Sequence, residues 1–393
     1  MSEAKSALEK AREVQPKVVE WRRYFHENPE PALKEIKTAK KVEETLKSFG
    51  IETRMMAGGI AVRGFLKGEK PGKTIALRAD IDALPMAEET HLPFQSKSPG
   101  VFHGCGHDAH TAMLLGAAQI LAEMRSELSG NVVFIFQPAE ETGEGARKMV
   151  AEGVLEKVEA VFGVHVLAAF PSGTLHIQSG PLMAAGDFFD VKISGKGGHG
   201  GMPQAAVDPI AIASQAIAAV QTVVSREIDP LESAVVSICK FQGGSAYNII
   251  PDFATFGGTL RSHSPELREY LPKRVEEIIR GVATAMRGSY EFTLHKRFPA
   301  TANDEQMTSF VAKIARELMG ADKIFPMKPV MGSEDFSYYL EKVPGAFIFL
   351  GGANKEKEIV YPQHHPKFDL DEDTLPFGTA LHVAVARDYL AQK

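Results

Sequence analysis

Three short apolar runs, separated by stretches of helical periodicity, constrain this chain more than any other feature. Thr74-Ile75-Ala76-Leu77, Val132-Val133-Phe134-Ile135-Phe136 and Ala160-Val161-Phe162-Gly163-Val164 have the length and side-chain content of buried strands. Between the first two, Leu114, Ala117, Leu121, Met124 and Leu128 recur at helical spacing, which predicts an amphipathic helix. A second helix is expected around Gly145 to Glu152, ahead of the third run. Alternation of this kind predicts an α/β layer in which a mostly parallel sheet is flanked by helices. Upstream, two helices are expected on either side of the turn-like run His26-Glu27-Asn28-Pro29-Glu30-Pro31. The second of them spans about Leu33 to Phe49 and stops at Gly50, which suits a left-handed cap position.

Near residue 183 the pattern changes. Asp187 to Ser194 alternates like a half-exposed strand, and Ala205 to Ser225 reads as a long alanine-rich helix. Strands at Ala234–Phe241 and Asp252–Arg261, a helix across Pro265–Arg287 and a strand at Tyr290–His295 complete a βαββαβ unit. From about Asn303 the helix–strand alternation resumes, with Phe347–Leu350 as a core strand and Leu375–Gln392 as a closing helix. The expected organisation is a discontinuous catalytic α/β domain, residues 1–182 and 297–393, interrupted by an inserted smaller α+β domain, residues 183–296. The length of 393 residues agrees with more than one core, because single cores stop growing beyond about 250–300 residues.

Ligands collect at the carboxyl ends of the strands of an open parallel sheet, and three expected strands run into residues suited to metals there. Strand 74–78 leads into Asp80-Ile81-Asp82, strand 132–136 into Gln137-Pro138-Ala139-Glu140-Glu141, and strand 160–164 into His165. The loop Gly104-Cys105-Gly106-His107-Asp108-Ala109-His110 precedes the amphipathic helix. Each piece alone has a plainer reading. A free cysteine is usually a small buried hydrophobe, paired glutamates are usually a solvated surface, and a histidine after a strand is usually a hydrogen-bonded core residue. Their convergence on one sheet edge favours a metal site. Imidazole, carboxylate and thiolate together suit zinc, manganese, cobalt or nickel without choosing among them. Magnesium and calcium prefer all-oxygen sets.

Arg78-Ala79-Asp80-Ile81-Asp82-Ala83-Leu84-Pro85, the Gly104–His110 loop and Gln137-Pro138-Ala139-Glu140-Glu141 form an ordered set, which Gly163-Val164-His165, Gly198-His199 and His364-His365-Pro366 extend. This set resembles the aminoacylase/carboxypeptidase family of dinuclear metalloamidohydrolases, in the branch of hippurate hydrolase and the indoleacetyl-amino-acid hydrolases. The resemblance covers nearly the whole chain. It implies two divalent metal ions per subunit, held by Cys105, His107, Glu141, His165 and His364, with Cys105 shared between them. His364 rather than His365 matches the family's histidine two residues before the proline. Glu140 matches the catalytic carboxylate, and Asp82 an acid that orients a ligand. The role of Asp80 stays open, because wider relatives carry a metal-binding histidine near it. In the inserted domain, the resemblance implies that His199 steadies the oxyanion, often in the partner subunit's site. It also implies that Asn248 and Arg261 hold a substrate carboxylate, for which the planar guanidinium fork is well suited.

The expected function is metal-dependent hydrolysis of the amide bond of N-acyl amino acids, with a water held at the metals as nucleophile and Glu140 as general base and then acid. A metallo-carboxypeptidase or dipeptidase acting on short peptides is the alternative, and a non-catalytic metal-dependent binding protein is the second. No Gly-x-Gly-x-x-Gly follows an early strand, and no Gly-x-Ser-x-Gly elbow is present. Gly195–Gly201 lacks the ending of a phosphate-binding loop. The formal net charge of -6, without long single-sign runs, argues against a nucleic-acid partner. The charged N-terminus, the lack of a span of about 20 apolar residues and only two cysteines, Cys105 and Cys239, predict a cytoplasmic protein without a membrane partner. The resemblance also implies that residues 183–296 act as a lid and dimerisation domain, and hence a homodimer or higher homo-oligomer.

Overall fold

The computed structural model describes residues 3–392. In chain order, α1 (Glu3–Glu27) and α2 (Ile36–Ser48) precede β1 (Glu52–Met56), β2 (Ala61–Lys67) and β3 (Lys70–Asp80). Next come α3 (His107–Glu123), β4 (Ser129–Gln137), α4 (Gly145–Ala151), β5 (Ala160–Pro171), β6 (Leu175–Ile177) and β7 (Gly180–Met183). They are followed by β8 (Ala185–Ser194), β9 (Gly198–His199), α5 (Pro209–Thr222), β10 (Ala234–Gly243), β11 (Ile249–Ile250), β12 (Phe253–Ser262), α6 (Pro265–Ala285), β13 (Ser289–Phe298) and β14 (Thr301–Asn303). The chain closes with α7 (Glu305–Met319), β15 (Ile324–Pro326), α8 (Ser337–Leu340), β16 (Gly345–Ala353) and α9 (Leu375–Leu390). Two compact units result. One comprises the chain up to Gly180, Ala302–Lys328 and the chain from Asp335; the other comprises Pro181–Thr301 and Pro329–Glu334.

The first unit is built on an eight-stranded sheet in the order β1-β2-β4-β3-β5-β16-β6-β15. Its central strands β4, β3, β5 and β16 are parallel, while β1, β2 and β6 pair antiparallel toward the edges. The apolar runs read from the sequence are the fully buried centres of β3, β4 and β5, as expected for strands covered on both faces. Register decides where chemistry can gather. Asp80 pairs with Gln137 across β3 and β4, and His165 pairs with Phe349 across β5 and β16. One departure from expectation is that β5 runs on to Pro171, so His165 lies inside the strand rather than after it.

A second departure concerns α3. Its spacing predicts an amphipathic helix, yet residues 107–118 are buried all round and only Glu123 is exposed. It is enclosed by α1, α9 and the sheet, and its alanine- and glycine-rich sequence lets neighbours approach closely. A helix without a polar stripe belongs in a core. Leu114, Leu115 and Leu121 are wholly buried in it, and truncating one of them to alanine would cost roughly 2–5 kcal/mol.

The second unit has the expected βαββαβ order. Its sheet, β10-β12-β8-β13, is antiparallel throughout, and α5 and α6 bury Ile212, Ala216, Leu271, Val275 and Ile279 in a core of their own. Asp208 caps α5 by accepting the amides of Ile210 and Ala211, and Ser264 caps α6 by accepting that of Leu267. The helix expected to begin at Ala205 instead starts at Pro209, because Asp208 is extended and Pro209 takes the first helical position.

Candidate metal centre

The Asp80–Asp82 segment, the Gly104–His110 loop, Glu140-Glu141, His165 and His364 meet at the carboxyl edge of the large sheet. Gly106 separates Cys105 from His107, the first residue of α3, and sits at φ 95°, a left-handed conformation that turns the chain into the helix. Cys105 and His107 are both buried. Cys105, Glu141 and His364 present ligand-type atoms that all lie within 4.8 Å of one another, as do His107, Glu140 and Glu141. The Cys105 Sγ is also 3.5 Å from the His165 Nε2. All five expected metal donors, together with Glu140, therefore fall in one connected cluster, with Cys105 reaching both His165 and the Glu141–His364 pair.

The hydrogen bonds around the imidazoles prepare them as donors. His107 gives its Nδ1 proton to the Asp82 carbonyl at 2.9 Å, and His165 gives its Nδ1 proton to the Val166 carbonyl at 2.7 Å. Both Nε2 lone pairs are thereby directed into the cluster, the arrangement that metal-binding histidines need. The His107 Nε2 is buried without a hydrogen-bond partner, and so is the Glu141 Oε1, which the His364 Nε2 approaches at 3.2 Å without hydrogen-bond alignment. Buried polar atoms are rarely left so. Soft sulfur, imidazoles and a carboxylate in mutual reach are a donor set that fits divalent transition metals. Burial holds His165 well below the usual imidazole range, with His110 adding to the effect, so its ring is neutral and can donate a lone pair. Burial and the Glu141 carboxylate raise the Cys105 thiol. The Cys105 sulfur and Glu141 push His364 up to about 10. A bound cation would reverse both tendencies, since ligands must be deprotonated.

Two neighbours of the cluster are already engaged. His110 shares Nδ1 with the Asp80 Oδ1 at 2.6 Å, while its Nε2 accepts the Val166 amide at 2.8 Å. Asp80 spends its other oxygen on the Arg78 Nη1 at 2.7 Å. Asp80 therefore ties Arg78 to His110, and its Oδ2 also lies 3.7 Å from the His107 Nε2. Asp82 accepts the amide of Glu140 at 3.1 Å and that of Glu141 at 3.2 Å. It thus holds both the paired glutamates and, through its carbonyl, His107.

His364 and His365 diverge. The His364 amide bonds to the Gly104 carbonyl at 2.8 Å, which pins it beside Cys105, and its backbone is left-handed at φ 63°. The His365 ring instead stacks on Tyr361, 4.5 Å between centroids, and its Nδ1 accepts the Lys367 amide. In the second unit, His199 pairs with Ile249 between β9 and β11, and its neighbour Gly200 donates to the Asn248 carbonyl at 2.8 Å. His199 and Asn248 are thus brought together within that unit, both exposed. Arg261 lies on β12, donates to the Ser333 Oγ and covers the Phe188 ring. Phe102 and Phe336 are wholly buried; they pack against His26 and Phe347 respectively.

Several supporting residues escaped the sequence reading. Asp335 accepts from Arg78 at 3.1 Å, Gln137 at 2.7 Å and the Ala146 amide at 2.9 Å. Arg22 is buried and bonds Asp369 and Glu372, while His26 shares a proton with Asp108 at 2.8 Å. The Glu334-Asp335 pair and the charged residues of α1 offered a composition signal at most; their partners lie far off in sequence.

Residues 76–388 match the description of peptidase family M20/M25/M40. The chain belongs to this family. It is 44% identical over 375 residues to IAA-amino acid hydrolase ILR1-like 4 of Arabidopsis thaliana, covering 94% of this chain and 85% of that protein. It is 41% identical over 380 residues to the N-acetylcysteine deacetylase of Bacillus subtilis, covering 96% and 95%. The crystal structure of the Bacillus subtilis YXEP protein, a dinuclear metal binding peptidase from the M20 family, superposes with a TM-score of 0.86 at 36% identity, covering 97% of this chain and 99% of that one. As a member of the M20/M25/M40 peptidases, the chain is a hydrolase, and its donor cluster is a candidate site for divalent metal. Among the described residues, no helix is long and apolar enough to cross a membrane.

Proposed function

We propose that this M20 hydrolase cleaves the amide bond of N-acyl amino acids, with Glu140 moving the proton. The observation that carries this reading is the placement of the adjacent glutamates. Both lie with His107, but only Glu141 also lies with Cys105 and His364, and both amides are held by the one carboxylate of Asp82. Two divalent ions held by Cys105, His107, Glu141, His165 and His364 would supply Lewis-acid polarisation of the amide carbonyl and a lowered pKa for the attacking water.

Glu140 accepts a proton from that water and returns it to the leaving amine, a role worth about 10²–10⁴ in rate. Asp82 keeps the Glu140 amide fixed and His107 in the correct tautomer. His199 contributes a donor to the developing oxyanion, typically worth a few kcal/mol, in the same subunit or in the partner's. Arg261 and Asn248 receive the carboxylate of the amino-acid portion. The protein is read as a cytoplasmic homodimer or higher homo-oligomer formed through residues 183–296. Zinc, manganese, cobalt and nickel all suit the donor set.

The names of the two relatives above, an amino acid conjugate hydrolase and a deacetylase, support an acyl substrate. Similarity to a dinuclear metal binding peptidase supports a second reading, cleavage of short peptides. A panel of N-acetyl, N-benzoyl and indoleacetyl amino acids set against dipeptides with the same C-terminal residue separates the two. The first reading requires a higher kcat/KM on the acyl series, and preference for free dipeptides would replace it by the second.

A further inference from the structure

The turn that carries Glu140 and Glu141 is held by more than Asp82. Glu35, the residue before α2, is wholly buried, and its Oε1 accepts the Ala139 amide at 2.7 Å. Ala139 is left-handed, φ 52° and ψ 39°, a conformation that costs a non-glycine residue roughly 1–2 kcal/mol. Three successive amides, those of 139, 140 and 141, thus point at carboxylates from other parts of the chain: Glu35 for the first and Asp82 for the next two. Successive amides converging in this manner make a concave anion site. Here carboxyl groups of the protein's own Glu35 and Asp82 fill it.

Glu35 could be no more than a buried residue at a helix start. Its energetics weigh against that. Its Oε2 is buried without a hydrogen-bond partner. Burial, with Asp82 nearby, pushes its carboxyl up to about 8, so at neutral pH the group opposes folding rather than favouring it. Alanine there would release the 138–139 peptide. Ala139 could then relax to a right-handed or extended conformation and carry Glu140 and Glu141 away from His107 and Cys105.

We propose that Glu35 is a positioning residue for this reaction, locking the left-handed Ala139 peptide so that Glu140 and Glu141 face the donor cluster together. The proposal rests on the reading of Glu140 as proton carrier and Glu141 as metal donor.

The test compares Glu35→Gln, which retains the acceptor oxygen, with Glu35→Ala and with Glu35→Ala combined with Ala139→Gly. Each is assayed for kcat and KM on an N-acyl amino acid, for Co²⁺ affinity through the thiolate-to-cobalt absorption of Cys105, and for thermal unfolding. Glu35→Gln should keep kcat and Co²⁺ affinity within about threefold. Glu35→Ala should lose about 10–100-fold in both, as expected for loss of a supporting hydrogen bond at a metal site, with KM little changed and the loss present at temperatures well below its unfolding transition. Glycine at 139 enters the left-handed region freely and should restore part of the loss.

Glu35→Ala with wild-type kcat and Co²⁺ affinity would overturn the proposal. So would equal losses in Glu35→Gln and Glu35→Ala, or a loss that tracks a lowered melting temperature. Should the wild-type protein turn over no acyl substrate, the functional reading fails by itself, and the cobalt titrations of the same variants still decide the role of Glu35. If Glu35→Ala does not fold, Glu35→Gln decides alone: retention upholds the acceptor role, and a tenfold loss removes it.

Discussion

Exchanging Glu140 for glutamine removes a proton acceptor and leaves the main-chain bond to Asp82 untouched. Glu140→Gln is therefore expected to bind metal like the wild type while kcat falls by about 10²–10⁴. Metal analysis alongside initial rates checks this, and undiminished kcat would remove Glu140 from the proton transfer. The two adjacent histidines make a sharper pair. His364 is anchored to Gly104 and approaches Glu141, whereas His365 is occupied with Tyr361 and Lys367. His364→Ala should weaken metal affinity by more than about tenfold, while His365→Ala leaves it near wild type. Calorimetric titration of both variants tests the distinction, and equal effects would contradict it. At this scale the sequence was informative where donors cluster locally. Cys105 and His107 announce themselves because two glycines flank a thiol two residues from an imidazole. Glu35 and Asp335 do not, since each acts on a residue more than a hundred positions away, and nothing local marks such a partner.

Elements position these residues through a few buried polar ties. His26 of α1 bonds Asp108 at the start of α3 and Glu88 in the loop between β3 and α3, all three side chains being nearly inaccessible. Burial opposes charge on His26, but the two carboxylates outweigh it and raise the imidazole from 6.5 to about 9. A raised folded-state value means that the stabilisation is complete below pH 6.5 and disappears as the pH rises through 9. Its size is on the order of 3 kcal/mol. His26→Gln should accordingly cost that much at pH 6 and far less at pH 9.5, as urea unfolding at both pH values would reveal. A pH-independent difference would rule out the charged pair. The strands and the βαββαβ order were legible because apolar runs and period-2 alternation are local. The solvent-free surround of α3 was not: its apolar positions fit helical spacing, but only tertiary packing buries the remaining faces.

On the scale of the whole molecule, the proposed donors come from separated segments, Cys105 and His107 before and at α3, Glu141 after β4, His165 in β5 and His364 ahead of α9. Two cations shared among them would tie together regions that the unfolded chain holds far apart, so folding and metal binding are linked. At a free concentration of about 100 Kd such linkage is worth about 2.7 kcal/mol, and chelation should lower the melting temperature correspondingly. The measurement that bears most directly on the whole account follows the release of free amino acid from N-acetyl and N-benzoyl amino acids. It uses the protein as purified, after chelation, and after reloading with zinc, manganese, cobalt or nickel. The account predicts that turnover vanishes on chelation and returns with at least one of these ions. Turnover that survives complete metal removal would contradict it, as would stoichiometric rebinding of metal without any hydrolysis of an acyl or peptide substrate.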